Sequence, residues 1–239
     1  MTVLKTLSLF PVPVTMANFG EDAKEMNESL IADSLSERAM HPIPAGRSGV
    51  GAGAWQSQAD LDEKYESFAL LRENIKATIY SLLPKYGFEY DGSYDDYFEC
   101  GMLWANVMTT EASYHIPHIH GTGETLFSGV YYPSSGLKYK SLTETPEDYY
   151  PEEDYEDVEI RASSVPESGD LVLFDPAATE KRQVIPAFVK RYPYYGSEIC
   201  IKPKKSHLVI FPNYLMHMVS PISYPDYIRL SISFSFRKK

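Results

Sequence analysis

His118 and His120 stand one residue apart in Pro117-His118-Ile119-His120, and His217 and Arg229 follow far downstream. In an extended segment side chains alternate with period two, so His118 and His120 point to the same face. A third imidazole, His217, beside a later strand would close a three-ligand site. An arginine just beyond it would hold an anion against a metal there. Three ligands on one face leave coordination positions open for small molecules, which is the donor logic of a non-haem iron centre.

The surroundings of each residue bear on that reading. Three of the six histidines, His115, His118 and His120, fall within six residues, a clustering that favours a metal. His115 has the opposite parity unless the backbone turns at Pro117, so it is left outside the ligand set; the plainer alternative has one of the three capping a turn or hydrogen-bonding a neighbour. His217 is flanked by Met216, Met218 and Val219; an imidazole there is poorly solvated and needs partners for both nitrogens, a need that ligation meets. His207, within the preceding strand, reads as structural. Arg229 and Ser231 share a strand face, so a guanidinium and a hydroxyl converge on one carboxylate. A bidentate arginine grips a carboxylate better than a lysine does.

Length and composition set the frame. With 239 residues the chain fits one domain with a core that needs no disulfides. A net charge of −11, from 22 basic and 33 acidic side chains, speaks against a nucleic-acid or anionic-membrane binder. Cys100 and Cys200 define no disulfide framework, and reduced thiols in a cytoplasm are the expectation. Met1 to Phe10 is too short an apolar run, broken by Pro11 and Pro13, for a secretory or membrane segment. Oligomeric state is left open, a homo-oligomer included.

The elements that must position these residues follow from periodicity. Val3 to Val14 reads as a proline-interrupted edge strand, and Glu21 to Ala39 as an amphipathic helix. His41 to Ser57 reads as a loop rich in Gly, Pro and Ser. Leu61, Tyr65, Phe68, Leu71, Ile75, Ile79 and Leu82 form one apolar stripe, a single helix capped near Asp60 and Glu63 and stopped by Pro84 and Gly87. Strands are expected at Phe98–Met108, Thr125–Tyr132, Asp170–Phe174, Val184–Phe188, Ser206–Phe211 and Tyr227–Phe236. Between the second and third, Thr143–Glu159 carries nine Asp or Glu and three Tyr; it reads as a solvated acidic loop at 143–159. The pattern implies an α+β, mainly β chain with a sandwich or jelly-roll core. One domain spans 1–239, with residues 1–92 packing on a core at 93–239.

At this point the residues resemble a family. Pro117-His118-Ile119-His120 with Phe127-Ser128-Gly129-Val130-Tyr131-Tyr132 forms one block. Leu208-Val209-Ile210-Phe211-Pro212, then His217, then Arg229-Leu230-Ser231-Ile232-Ser233-Phe234 form the other. In this order they resemble the Fe(II)/2-oxoglutarate-dependent dioxygenases, specifically the 2OG-Fe(II) oxygenase group, with weaker matches at Leu9-Phe10-Pro11, Trp55-Gln56-Ser57 and Trp104-Ala105-Asn106. The resemblance implies a double-stranded β-helix core with N-terminal supporting helices. It implies Fe(II) held by His118, His120 and His217, and 2-oxoglutarate as a small-molecule co-substrate gripped by Arg229 with Ser231. Asn106, Tyr131 and Tyr132 are expected to line the pocket. An unidentified prime substrate would be hydroxylated with release of succinate and CO2. His120 occupies the position where the wider superfamily carries a carboxylate, and Glu124 is the nearest acid that would substitute. A cupin-like metal protein without 2-oxoglutarate dependence, and an inactive scaffold acting as an interaction protein, are the alternatives.

Overall fold

A strand in which every second residue is apolar needs a core on one side and something else on the other. The segment from Arg229 to Phe236 has both. In the computed structural model, which describes residues 12–44, 53–109, 113–120, 123–138, 147–148, 160–161, 166–177, 196–223 and 227–239, it lies inside a long C-terminal strand. The chain opens with β1 (Thr15–Asn18), α1 (Lys24–Met40) and β2 (Ala54–Gln56), then α2 (Leu61–Lys64) and α3 (Glu66–Leu82). Strands follow as β3 (Phe98–Met108), β4 (His115–His118), β5 (Thr125–Tyr132), β6 (Leu137–Lys138), β7 (Glu147–Asp148) and β8 (Ile160–Arg161). The last are β9 (Leu171–Phe174), β10 (Glu198–Ile201), β11 (His207–Pro212), β12 (His217–Val219) and β13 (Tyr227–Lys238).

These strands make two antiparallel sheets. The major sheet runs β1-β11-β5-β13-β3-β2, with β6 paired to β13 and β7 to β6, and the minor sheet runs β4-β12-β9-β10-β8. On β13, Leu230, Ile232, Phe234 and Phe236 bury against Leu30 of α1 and Phe68, Leu71 and Ile75 of α3. Arg229, Ser231 and Ser233 alternate with them and line a cleft between the sheets. β3 obeys the same parity: Leu103, Ala105 and Val107 face the helices, Trp104 and Asn106 the cleft. Val130, Tyr132, Val209 and Phe211 of the major sheet pack on Leu171, Leu173 and Ile201 of the minor one. At Gly129 the strands β11, β5 and β13 approach one another closely. A Cβ there would lie 2.3 Å from the Val209 carbonyl oxygen and 2.6 Å from the Phe234 ring, closer than any side chain tolerates.

The mainly β architecture with N-terminal helices packed on the major sheet agrees with expectation, and four details differ from it. The single long helix is two: Tyr65 is extended at φ −127°, ψ 129°, and its hydroxyl donates to Oε2 of Glu37 at 2.9 Å. Lys64 Nζ also reaches Glu37, at 3.3 Å. Glu37 is buried, and a carboxylate so placed needs such partners. Asp60 supplies no side-chain cap. The loop expected over 41–57 contains β2, because Trp55 and Gln56 pair with Val107 and Asn106 at the edge of the major sheet. Among the described residues the first strand is Thr15–Asn18, after both prolines; residues 3–11 of the expected Val3–Val14 strand lie outside the described residues. So do the Val184–Phe188 strand and, apart from β7, the acidic loop.

Candidate metal centre

β4 and β12 run side by side with His118 opposite His217, which sets their rings 4.3 Å apart between centroids. His120 follows just past the end of β4. Its backbone N–H donates to the Asn213 carbonyl at 3.0 Å, which ties it to the segment leading into β12. Its ring stacks on His217 with centroids 5.0 Å apart and planes 4° from parallel. One ring nitrogen from each of the three lies within 4.8 Å of the others, and the two Nε2 atoms of His120 and His217 are 3.2 Å apart.

The protonation pattern follows from the partners. His118 Nδ1 sits 2.7 Å from the Ile116 carbonyl and His217 Nδ1 sits 2.9 Å from the Leu215 carbonyl. A carbonyl can only accept, so both Nδ1 atoms carry the proton and both Nε2 atoms carry a lone pair. Burial disfavours the charged form and pushes His217 down to about 3 and His120 to about 4; His118 is lowered by the same cause. The imidazoles are therefore neutral at pH 7, the state that ligates. Metal–nitrogen bonds of about 2.0–2.1 Å at right angles place two donor nitrogens roughly 3 Å apart, so the 3.2 Å between His120 and His217 Nε2 suits two ligands of one divalent ion, with a His118 nitrogen within 4.8 Å of both. Glu124 is exposed and is not in the cluster, which among the described residues contains no carboxylate.

The same cleft holds Arg229. It is 2% exposed, and its Nε donates to the Gly169 carbonyl at 2.8 Å. Nη1 donates to Ser231 Oγ at 2.8 Å and Nη2 to the Tyr132 hydroxyl at 3.1 Å. All three partners are uncharged, and no carboxylate among the described residues pairs with the guanidinium. With five N–H donors available, two remain. Asp170, buried next to Gly169, is near enough to act electrostatically on Tyr132, yet the spare N–H donors of Arg229 still offer an anionic ligand charge-assisted hydrogen bonds away from water. Asn106 Nδ2 donates to Ser233 Oγ at 2.9 Å and to the Ser231 carbonyl at 3.4 Å, which turns its Oδ1 toward Gln56 Nε2 at 2.7 Å.

Sequence reasoning placed His118, His120, His217, Arg229, Ser231, Asn106 and Tyr132 in one cleft, and all seven are found around it. Tyr131 is not: it faces the helices, and its hydroxyl donates to Asn27 Oδ1 at 2.6 Å, because neighbours on a strand take opposite faces. His207 stands apart, its Nδ1 bound to the Lys205 carbonyl at 2.7 Å. Three contributors were missed. Gly169 acts through a backbone carbonyl and leaves no side-chain signal, and Gln56 carried only the weak Trp55-Gln56-Ser57 match. Strand parity leaves His115 out of the cleft unless the backbone turns at Pro117, and that exception is what the structure has. The register runs from His217 opposite His118 to Val219 opposite His115, so two steps on β12 match three on β4. That bulge, at Ile116 and Pro117, reverses the parity and turns His115 into the cleft.

The burial of these histidines has a measurable consequence. An unfolded histidine titrates near 6.5, whereas His115, buried and beside Arg229, lies at about 3, with His217 and His120 similarly low. Between these values the unfolded chain binds more protons, so stability rises with pH. Thermal melts of the metal-free protein should show full stability above about pH 6.5 and a steady fall from there to about pH 5, above the main carboxylate range. A flat melting temperature over that window would contradict buried neutral imidazoles.

Among the described residues no helix is long and apolar enough to cross a membrane. Residues 102–235 match the family model described as "Putative 2OG-Fe(II) oxygenase", and no curated protein matches the sequence. Among solved structures the chain is similar to a prolyl-4-hydroxylase of Pseudomonas putida, with TM-score 0.57 and 14% identity over 97% of this chain and 95% of that one. It is also similar to a Trichoplax adhaerens prolyl hydroxylase solved with a hypoxia-inducible-factor peptide fragment (TM-score 0.57, 14% identity, 94% and 83% covered). A third is the epimerase SnoN in complex with Fe3+, alpha ketoglutarate and nogalamycin RO (TM-score 0.57, 13% identity, 95% and 79% covered). Identities this low speak to the fold alone, a double-stranded β-helix.

Proposed function

Since the chain belongs to the 2OG-Fe(II) oxygenase family, we propose that it is an Fe(II)/2-oxoglutarate-dependent dioxygenase that hydroxylates an as yet unidentified prime substrate. His118, His120 and His217 would hold the iron. Arg229, with Ser231 and Tyr132 beside it, would hold the distal carboxylate of 2-oxoglutarate, and Asn106 would line the pocket. The observation that carries this reading is the buried Arg229, whose three hydrogen-bond partners are uncharged and leave N–H donors over, in the same cleft as three neutral imidazoles whose nitrogens converge. When bound, Fe(II) and 2-oxoglutarate would activate dioxygen, the oxidant, with one oxygen atom going to the substrate C–H bond and the other to succinate as CO2 leaves.

The protein's own residues do the rest. The Ile116 and Leu215 carbonyls orient the His118 and His217 rings. Arg229 sets the direction from which a dianion enters, and Val130, Leu171 and Val219 exclude water between the sheets. Three neutral donors leave the centre more positive than one with a carboxylate, so a dianionic co-substrate gains extra attraction there. With Glu124 exposed and no carboxylate among the described residues in the cluster, the cupin-like alternative has less support. The same reading takes residues 1–239 as one unit in a cytoplasmic setting, with buried Cys100 and Cys200 as thiols.

Anaerobic Fe(II) loading followed by visible spectroscopy tests the proposal. Addition of 2-oxoglutarate should produce a new charge-transfer band that saturates with concentration. A protein that binds iron yet gives no band and no binding isotherm is not a 2-oxoglutarate oxygenase.

A further inference from the structure

His115 is the one histidine of the cleft without a role in the chemistry described so far. It is 7% exposed, and its Nε2 is buried without a hydrogen-bond partner, although burying an imidazole nitrogen unsatisfied is costly. It is also there by construction, since without the bulge at Ile116 and Pro117 its side chain would leave the cleft. Bulges of this kind re-aim side chains next to active sites.

Strand register says what His115 lies next to. His118, His217 and Leu173 form one row across β4, β12 and β9, and His115, Val219 and Leu171 form the next. A two-residue step along a strand is about 6–7 Å. Two residues further along the same chain segment, the Gly169 carbonyl accepts from Arg229 Nε. His115 therefore stands between the ligand trio and the guanidinium. A diacid whose 2-oxo end meets the metal and whose far carboxylate meets Arg229 must pass its row.

We propose that His115 is a co-substrate-binding residue, donating Nε2–H to the distal carboxylate that Arg229 grips. The assignment rests on the oxygenase reading and deepens it. A neutral imidazole is well matched to this role. It adds a donor without burying a second cation beside Arg229, and a carboxylate acceptor selects the Nε2–H tautomer. Arg229, Ser231, Tyr132 and His115 would then close around the carboxylate from both sheets, β13 and β5 on one side and β4 on the other.

The experiment compares Fe(II)-loaded wild-type, His115→Leu, His115→Phe and His115→Gln proteins in anaerobic titrations. One ligand is 2-oxoglutarate; the other is 2-oxobutyrate, which keeps the 2-oxo acid head and lacks the distal carboxylate. Fe(II) affinity and melting temperature are measured alongside. Removing a hydrogen bond to a charged group should weaken 2-oxoglutarate about tenfold to a hundredfold in His115→Leu. Binding of 2-oxobutyrate and iron should stay unchanged, and His115→Gln, which keeps an N–H donor, should recover most of the affinity. If His115→Leu does not fold, His115→Phe carries the comparison. Unchanged 2-oxoglutarate affinity in a folded non-donor variant overturns the assignment, as does an equal loss for both acids. Loss of iron from His115→Gln overturns it as well. A wild-type protein that takes up no 2-oxoglutarate sinks the oxygenase reading itself, and this assignment with it.

Discussion

Replacing His217 with alanine should abolish Fe(II) binding rather than merely slow turnover. His217 is central to the trio. Its ring lies 4.3 Å from His118 and 5.0 Å from His120 between centroids, and its Nδ1–H is pinned by the Leu215 carbonyl. No carboxylate of the described residues joins the cluster to take its place. Losing a group that only orients a ligand already costs about 10–100-fold in metal affinity, so losing the ligand should cost more than about a hundredfold. Equilibrium dialysis with metal analysis reads this directly, and His118→Ala should behave alike while His207→Ala keeps its iron. A second readout is independent of turnover. A divalent ion at about 100 times its Kd stabilises the fold by about 2.7 kcal/mol, so Mn(II) should raise the melting temperature of the wild type and leave His217→Ala unmoved. Iron uptake that survives in His217→Ala would remove the basis of the proposed centre.

Arg229→Gln should leave iron binding intact and destroy the affinity for 2-oxoglutarate. The guanidinium is buried and held by Gly169, Ser231 and Tyr132, so any carboxylate it meets is screened little by salt. Truncating one partner of a buried, hydrogen-bonded charge pair costs about 2–5 kcal/mol, roughly thirtyfold to several-thousand-fold in Kd. Arg229→Lys should fall between. It keeps the charge, but a single ammonium cannot reproduce the fork that meets Gly169, Ser231, Tyr132 and a carboxylate together. Titrations followed by the charge-transfer band measure all three proteins. Equal 2-oxoglutarate affinity in wild type and Arg229→Gln would mean that the co-substrate, if bound, lies elsewhere.

Much of this was legible because periodicity is local. Ser231 and Ser233 against Ile232 and Phe234 set the two faces of β13 before any partner was known. The same rule put Arg229 with Ser231. The apolar stripe from Leu61 to Leu82 told which face of the helical layer would bury. It did not reveal the break at Tyr65, because that turn answers to Glu37 on another helix.

The sequence by itself determined which side chains share a face and which residue types could ligate a metal or grip a carboxylate. Only the tertiary structure decided who meets whom. The pairing of β4 with β12 brings His217 to His118 across a long stretch of chain, and one extra residue at Ile116 and Pro117 turns His115 inward. The Gly169 carbonyl becomes the anchor of Arg229 without any side chain to announce it. The physical reason is that alternation within a strand follows from its own backbone geometry. Register, bulges and backbone acceptors are settled instead by the strands that pack alongside, and those lie far away in sequence.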